Sequence, residues 1–176
     1  EQACIHSFDQ GGDAIIRSLL FAGGADIACM AVTGTGSIIR FWRAEDSSDF
    51  SSETVGEAYP GGFSPGDEVF SPSGSFVAAN FTLRTGNGFT STLALYEVET
   101  ITTTQSVVMS DFSANCLAVS PDSKQLAVVD STGGVRLLQA EDLRIQRDLH
   151  ARGEGSNMPV SSVAFDPTCR FLAVCL

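Results

Sequence analysis

Lysine is nearly missing from this chain of 176 residues: Lys124 is the only one, and all Lys and Arg together number 10 against 21 acidic residues. A formal net charge of −11 repels a phosphate backbone. Arg17, Arg40 and Arg136 are scattered rather than clustered, so direct binding of nucleic acid is not expected. The charge favours proteins or peptides that are basic. Long apolar runs are lacking too, none approaching the roughly 18 residues that cross a bilayer. The opening Glu1-Gln2-Ala3-Cys4 has neither the basic flank nor the apolar stretch of a secretory signal, and no membrane partner is expected. Cysteines are few and odd in number, at 4, 29, 116, 169 and 175, with no Cys-x-x-Cys pair. Most lie in apolar stretches and are expected as buried free thiols in a reducing compartment, not as metal ligands. Asn80-Phe81-Thr82 fits the N-glycosylation triplet, but it follows the apolar run 76–79 and is expected inside a strand.

What the chain does contain is a repeat. Phe70-Ser71-Pro72-Ser73-Gly74-Ser75-Phe76, Val119-Ser120-Pro121-Asp122-Ser123-Lys124-Gln125 and Phe165-Asp166-Pro167-Thr168-Cys169-Arg170-Phe171 each join an apolar residue, Ser-Pro or Asp-Pro, and a polar turn. A short apolar run follows each one. Residues 21–30 are a looser copy. Proline cannot donate a ladder hydrogen bond, so it ends one strand and sets the turn, and the next apolar run reads as a strand buried on both faces. One alanine of that second strand recurs at Ala28, Ala78, Ala127 and Ala173, about 46 to 50 residues apart. Those alanines are expected to be buried between neighbouring sheets. Third strands follow at 39–42, 93–96 and 135–138. Weaker fourth strands follow around 54–58, 103–109 and 144–149. The Gly- and Thr-rich stretch 83–92 reads as an enlarged loop. His6 and His150 fall on one repeat position.

Several short strands per unit at this period point to an all-β propeller rather than to helical repeats. The approximate units are 11–60, 61–110, 111–150 and a partial 160–176. That is about three full four-stranded blades with partial blades at both ends, an incomplete propeller within a longer polypeptide. The pattern resembles the WD-repeat family, whose units run from Gly-His through a Ser-Pro-Asp-Gly turn to Trp-Asp. The resemblance implies structural roles for His6, His150 and Trp42, with Ser162 as the partner of an inward-turned His150. Arg43 stands where the family has aspartate, and Gly34-Thr35-Gly36 and Ser131-Thr132-Gly133-Gly134 replace its Asp-Gly turns. The stretch 37–174 also resembles the amino-terminal propeller of the acidic nucleoplasmic DNA-binding protein family, which are replisome adaptor scaffolds. Residues 39–46 with 55–59, 111–115, and 135–142 with 149–150 and 159–167 carry that likeness, while the insertion 151–158 departs from the usual spacing. This resemblance implies a nuclear scaffold coupling replication factors; the alternative is another WD-repeat scaffold, a ubiquitin-ligase adaptor or a coat or RNA-processing subunit, and the alternative compartment is the cytoplasm.

No catalytic residue, metal or cofactor is assigned. Neither a phosphate-binding loop nor a His-Glu-x-x-His pair occurs. The first strands carry Ile16, Leu19, Leu117, Val119, Val163 and Phe165, without the histidines or carboxylates that a propeller hydrolase or lyase gathers at its channel. Glu45, Asp46, Asp49 and Glu53 lack the spacing of a calcium loop and read as a solvated acidic loop. Partner binding is expected in three loops. The candidates are Arg84, Asn87 and Phe89 in the first, Glu45, Asp46 and Asp49 in the second, and Arg152 and Glu154 in the third. The oligomeric state is expected to be set by regions outside this chain.

Overall fold

The computed structural model describes residues 15–21, 26–33, 36–43, 49–55, 63–85, 88–98, 100, 102–109, 114–130, 132–150 and 160–175. Side chains are described at 68–81, 90–98, 100, 102–109, 114–130, 132–150 and 160–175. Among these residues there is no helix. Strands β1 (Ile15–Phe21), β2 (Asp26–Thr33), β3 (Gly36–Arg43) and β4 (Asp49–Val55) form one antiparallel sheet in chain order. β5 (Phe63–Phe70), β6 (Phe76–Thr85), β7 (Gly88–Glu97) and β8 (Thr103–Met109) form the second. β9 (Ala114–Val119), β10 (Gln125–Asp130), β11 (Gly134–Gln139) and β12 (Ile145–His150) form the third. β13 (Ser162–Phe165) pairs with β14 (Leu172–Cys175) in a hairpin.

The turns between first and second strands show why these residues fold alike. Ser71, Ser120 and Asp166 hold one position, and the backbone N–H of each donates to the carbonyl five residues on, at Phe76, Gln125 and Phe171. Their side-chain oxygens accept the N–H of those same residues, at 3.0 Å from Phe76, 2.9 Å from Gln125 and 2.6 Å from Phe171. Three residues into each turn the backbone enters the left-handed region, at Gly74 (φ 73), Ser123 (φ 60) and Cys169 (φ 58). A Cβ costs roughly 1–2 kcal/mol there, so the side-chain hydrogen bonds stabilise turns that two of the three residues disfavour.

The sheets stack face on face with β-strand periodicity. Leu117, Val119, Leu126, Val128 and Leu138 of the third sheet pack against Ala78, Leu93, Leu95 and Met109 of the second. The alternate residues Cys116, Ala118, Ala127, Val129 and Val135 pack against Val160 and Val163, with Phe165, Leu172 and Val174 beside them. The third sheet is thus covered on both faces, and Leu126, Ala127, Val128 and Val129 are fully buried. First strands adjoin one another: β1 contacts β5, β5 contacts β9, and β9 contacts β13. No closed ring of sheets is seen among the described residues.

The repeated alanine explains the spacing between sheets. Ala78 faces the third sheet and Ala127 faces the β13–β14 hairpin, so each points at the sheet that follows it, and a small side chain lets that sheet approach. Ala28 lies in β2, with its side chain outside the described residues. Ala173 lies in β14 and is exposed, against expectation, because no described strand packs on that side.

Two elements differ from the sequence reading. The stretch 83–92 is not an enlarged loop. β6 and β7 run on as ten-residue strands, pairing Arg84 with Phe89 and Thr85 with Gly88. Threonine is a good strand former, and a two-residue separation between strands is hairpin geometry. The fourth strand of the first sheet is Asp49–Val55, earlier than the expected 54–58. It takes Asp49 and Glu53 out of the supposed acidic loop and opposite Trp42 and Ile39.

Candidate functional site

The sequence candidates do not converge on one site. Arg84 and Phe89 stand opposite each other near the tip of the β6–β7 hairpin, in strands rather than a loop, and Asp49 is likewise in β4. Trp42 lies in β3 opposite Ile27. His6, Glu45, Asp46, Asn87, Arg152 and Glu154 lie outside the described residues.

His150 stands at the end of a fourth strand. It is the last residue of β12, opposite Gly134, and its side chain is exposed. Ser162 opens β13 and is exposed too. An inward-turned ring is thus not seen among the described residues; residues 151–159, which join β12 to the next hairpin, lie outside them. His150→Ala is therefore expected to change stability by no more than about 0.5 kcal/mol, as at an ordinary surface position. A fall of several degrees in melting temperature would restore the structural role. The thiols divide in the same way: Cys116 is buried in the core as expected, Cys169 is half-buried, and Cys175 is exposed.

Sequence reasoning missed two asparagines that tie the sheets together. Asn80, buried in β6, donates through Nδ2 to the Ala114 carbonyl at 2.9 Å, where β9 begins. Asn115 donates through Nδ2 to the Val160 carbonyl at 2.9 Å, just before β13. Each asparagine thus fixes the entrance of the next first strand. The only signal for Asn80 was a polar residue closing an apolar run. A third feature was also missed: Gly62-Phe63-Ser64-Pro65-Gly66 has the spacing of a nucleophile elbow. Ser64 pairs with Thr82 inside an antiparallel strand, without the strand-to-helix turn that exposes such a serine.

Among the described residues, concave regions lie beside the repeated turns. One, of about 700 Å³, lies over the end of the third sheet. A chain of amides crosses it: Gln125 donates to Gln146 at 2.9 Å, and Gln146 donates to Gln139 at 3.5 Å. Gln139 in turn donates to Glu141 at 3.2 Å. Asp122, Lys124 and Cys169 also line it. The second, of about 460 Å³, runs between β12 and the β13–β14 hairpin, where Leu149, Phe165, Phe171 and Leu172 meet Arg147 and Arg170. No group of three His, Cys, Asp or Glu side chains suited to a metal ion occurs among the described residues.

Carboxylates in the turns are held ionised. Asp166 accepts from the Thr168 hydroxyl and from the backbone N–H of Phe171, Thr168 and Arg170, in that order of effect, and its carboxyl is lowered to about 2. The Ser120 hydroxyl, at 2.6 Å, and the Lys124 N–H lower Asp122 in the same direction. A depressed carboxyl stabilises the fold above its unfolded value of 3.8, and this is lost as the pH falls towards about 2. The amide resonances of Thr168 and Phe171 should titrate with a midpoint near 2. A midpoint near the ordinary aspartate value would contradict the hydrogen bonding.

Comparison with known proteins yields no match, either to a protein-family model or to a curated protein.

Proposed function

We propose that this chain is part of a WD-repeat β-propeller serving as a non-catalytic protein-interaction scaffold. The observation that carries the reading is the repeated geometry. Two four-stranded meanders and a hairpin share one turn design at positions 71–76, 120–125 and 166–171, and the first strands of these units and of a further four-stranded meander adjoin in series. Stacked sheets of this kind present rigid edges, rims and inter-sheet grooves, which suit docking of peptides and domains better than enclosed chemistry. The net charge of −11 selects basic partners.

The likeness to the acidic nucleoplasmic DNA-binding protein family extends the reading to a nuclear replisome adaptor. Affinity capture of the intact protein followed by mass spectrometry tests this. Replicative polymerase and helicase subunits are the expected partners. Ubiquitin-ligase, coat or RNA-processing subunits would replace the replisome role with another scaffold role. A hydrolase or lyase activity in a preparation without stoichiometric partners would overturn the scaffold reading.

A further inference from the structure

Strands β4, β8 and β12 hold the same place in their sheets, each pairing with one neighbour among the described residues. Such an edge offers a row of unpaired N–H and C=O groups, and natural proteins blunt it with charge, proline or bulges. β4 carries Asp49 and Glu53, and β12 carries Arg147 and Asp148. β8 reads Thr103-Thr104-Gln105-Ser106-Val107-Val108-Met109, without a charge or a proline. The adjoining Ile101, Thr102 and Ser110 are uncharged as well. Threonine and valine favour extended backbone. Val107 and Met109 turn towards the third sheet and anchor the strand. Residues 103–106 are exposed, and Val108 is 62% exposed. β8 shares with β4 and β12 an irregularity of register, at Thr104 between Thr103 and Gln105, but from Gln105 to Met109 it is a firmly seated edge that lacks the charges its two counterparts carry.

We propose that β8 is a docking edge for one extended strand of a partner protein, uncharged at its centre and flanked by lysine or arginine. The proposal rests on the scaffold reading and names a surface for it. The incoming strand becomes a fifth strand of the second sheet. Main-chain hydrogen bonds supply affinity, and side chains beside Ser106 and Val108 supply selectivity. Charge decides between occupants. A second copy of this chain brings a further −11 towards the same edge, whereas a basic-flanked strand is attracted. Glu97 ends β7 beside the start of β8, its N–H bonded to the Thr102 carbonyl at 3.0 Å and its carboxylate accepting from the Thr100 hydroxyl at 2.6 Å, which adds negative charge at that end of the sheet.

The test uses the intact chain and a fluorescent peptide, Lys-Lys-Thr-Val-Thr-Val-Thr-Lys-Lys, read by anisotropy. Binding on the order of micromolar is expected. It should weaken about tenfold or more in a Ser106→Lys, Val108→Lys variant whose melting temperature is unchanged. The same added charge on β12, as Ile145→Lys with Leu149→Lys, should weaken it far less. A peptide with a central proline should not bind. Equal binding by the proline peptide, or equal loss from the β12 variant, would overturn the proposal. So would self-association of the unaltered chain that the β8 lysines abolish, since a second copy would then be the occupant. If the β8 variant still captures every natural partner, the scaffold reading stands and the β8 assignment falls.

Discussion

Leu126→Ala is expected to destabilise the chain by about 2–5 kcal/mol, the range for deleting a fully buried leucine side chain. Leu126 is 0% exposed in β10 and sits where the third sheet meets Leu93, Leu95 and Met109 of the second. Two sheets converge on it, so neither can relax into the cavity without losing register with its own neighbours. Denaturant unfolding of the intact protein gives the value, with the exposed Val108→Ala and Phe171→Ala as comparisons expected to cost far less. A loss below about 1 kcal/mol for Leu126→Ala would mean that the second and third sheets do not pack as described.

Ala127→Leu tests the opposite face. Ala127 is also 0% exposed, but it lies against the β13–β14 hairpin among Cys116, Ala118, Val160 and Val163. Three added carbons have no space there. Overpacking of this kind costs about 1–3 kcal/mol, and the hairpin should yield first because, among the described residues, its own two strands and this interface alone hold it. Cys116, buried in the same layer, should then become reactive towards a thiol reagent, read by peptide mass spectrometry. The exposed Cys175 serves as the reference in both proteins. An unreactive Cys116 with unchanged stability would place the hairpin elsewhere.

These two residues also show how far the sequence could be read. The run Leu126-Ala127-Val128-Val129 between turn residues announces a strand buried on both faces, and Ser120-Pro121 announces the turn before it. Nothing in that run says which face meets which sheet; that comes from the order in which first strands adjoin. The turns were legible because proline and a side-chain acceptor act locally. The β6–β7 hairpin is hard to see in the sequence because glycine and threonine also compose loops, although Thr85 and Gly88 bracket only two residues. The start of β4 was hidden by its acids and serines, which an edge strand tolerates. His150 shows the limit of repeat register: the position was right for a fourth-strand end, but burial depends on coverage by other segments. Asn80 and Asn115 could not be foreseen, because their partners are carbonyls 34 and 45 residues away.

The proposed propeller makes these sheets successive blades arranged about one axis, with their first strands innermost. Electron cryo-microscopy of the intact polypeptide tests it most directly. The account predicts a ring of radially arranged four-stranded sheets around a channel, with β1, β5, β9 and β13 lining it and β4, β8 and β12 on the outer rim. An open stack or sandwich in which these first strands do not share an axis would contradict it.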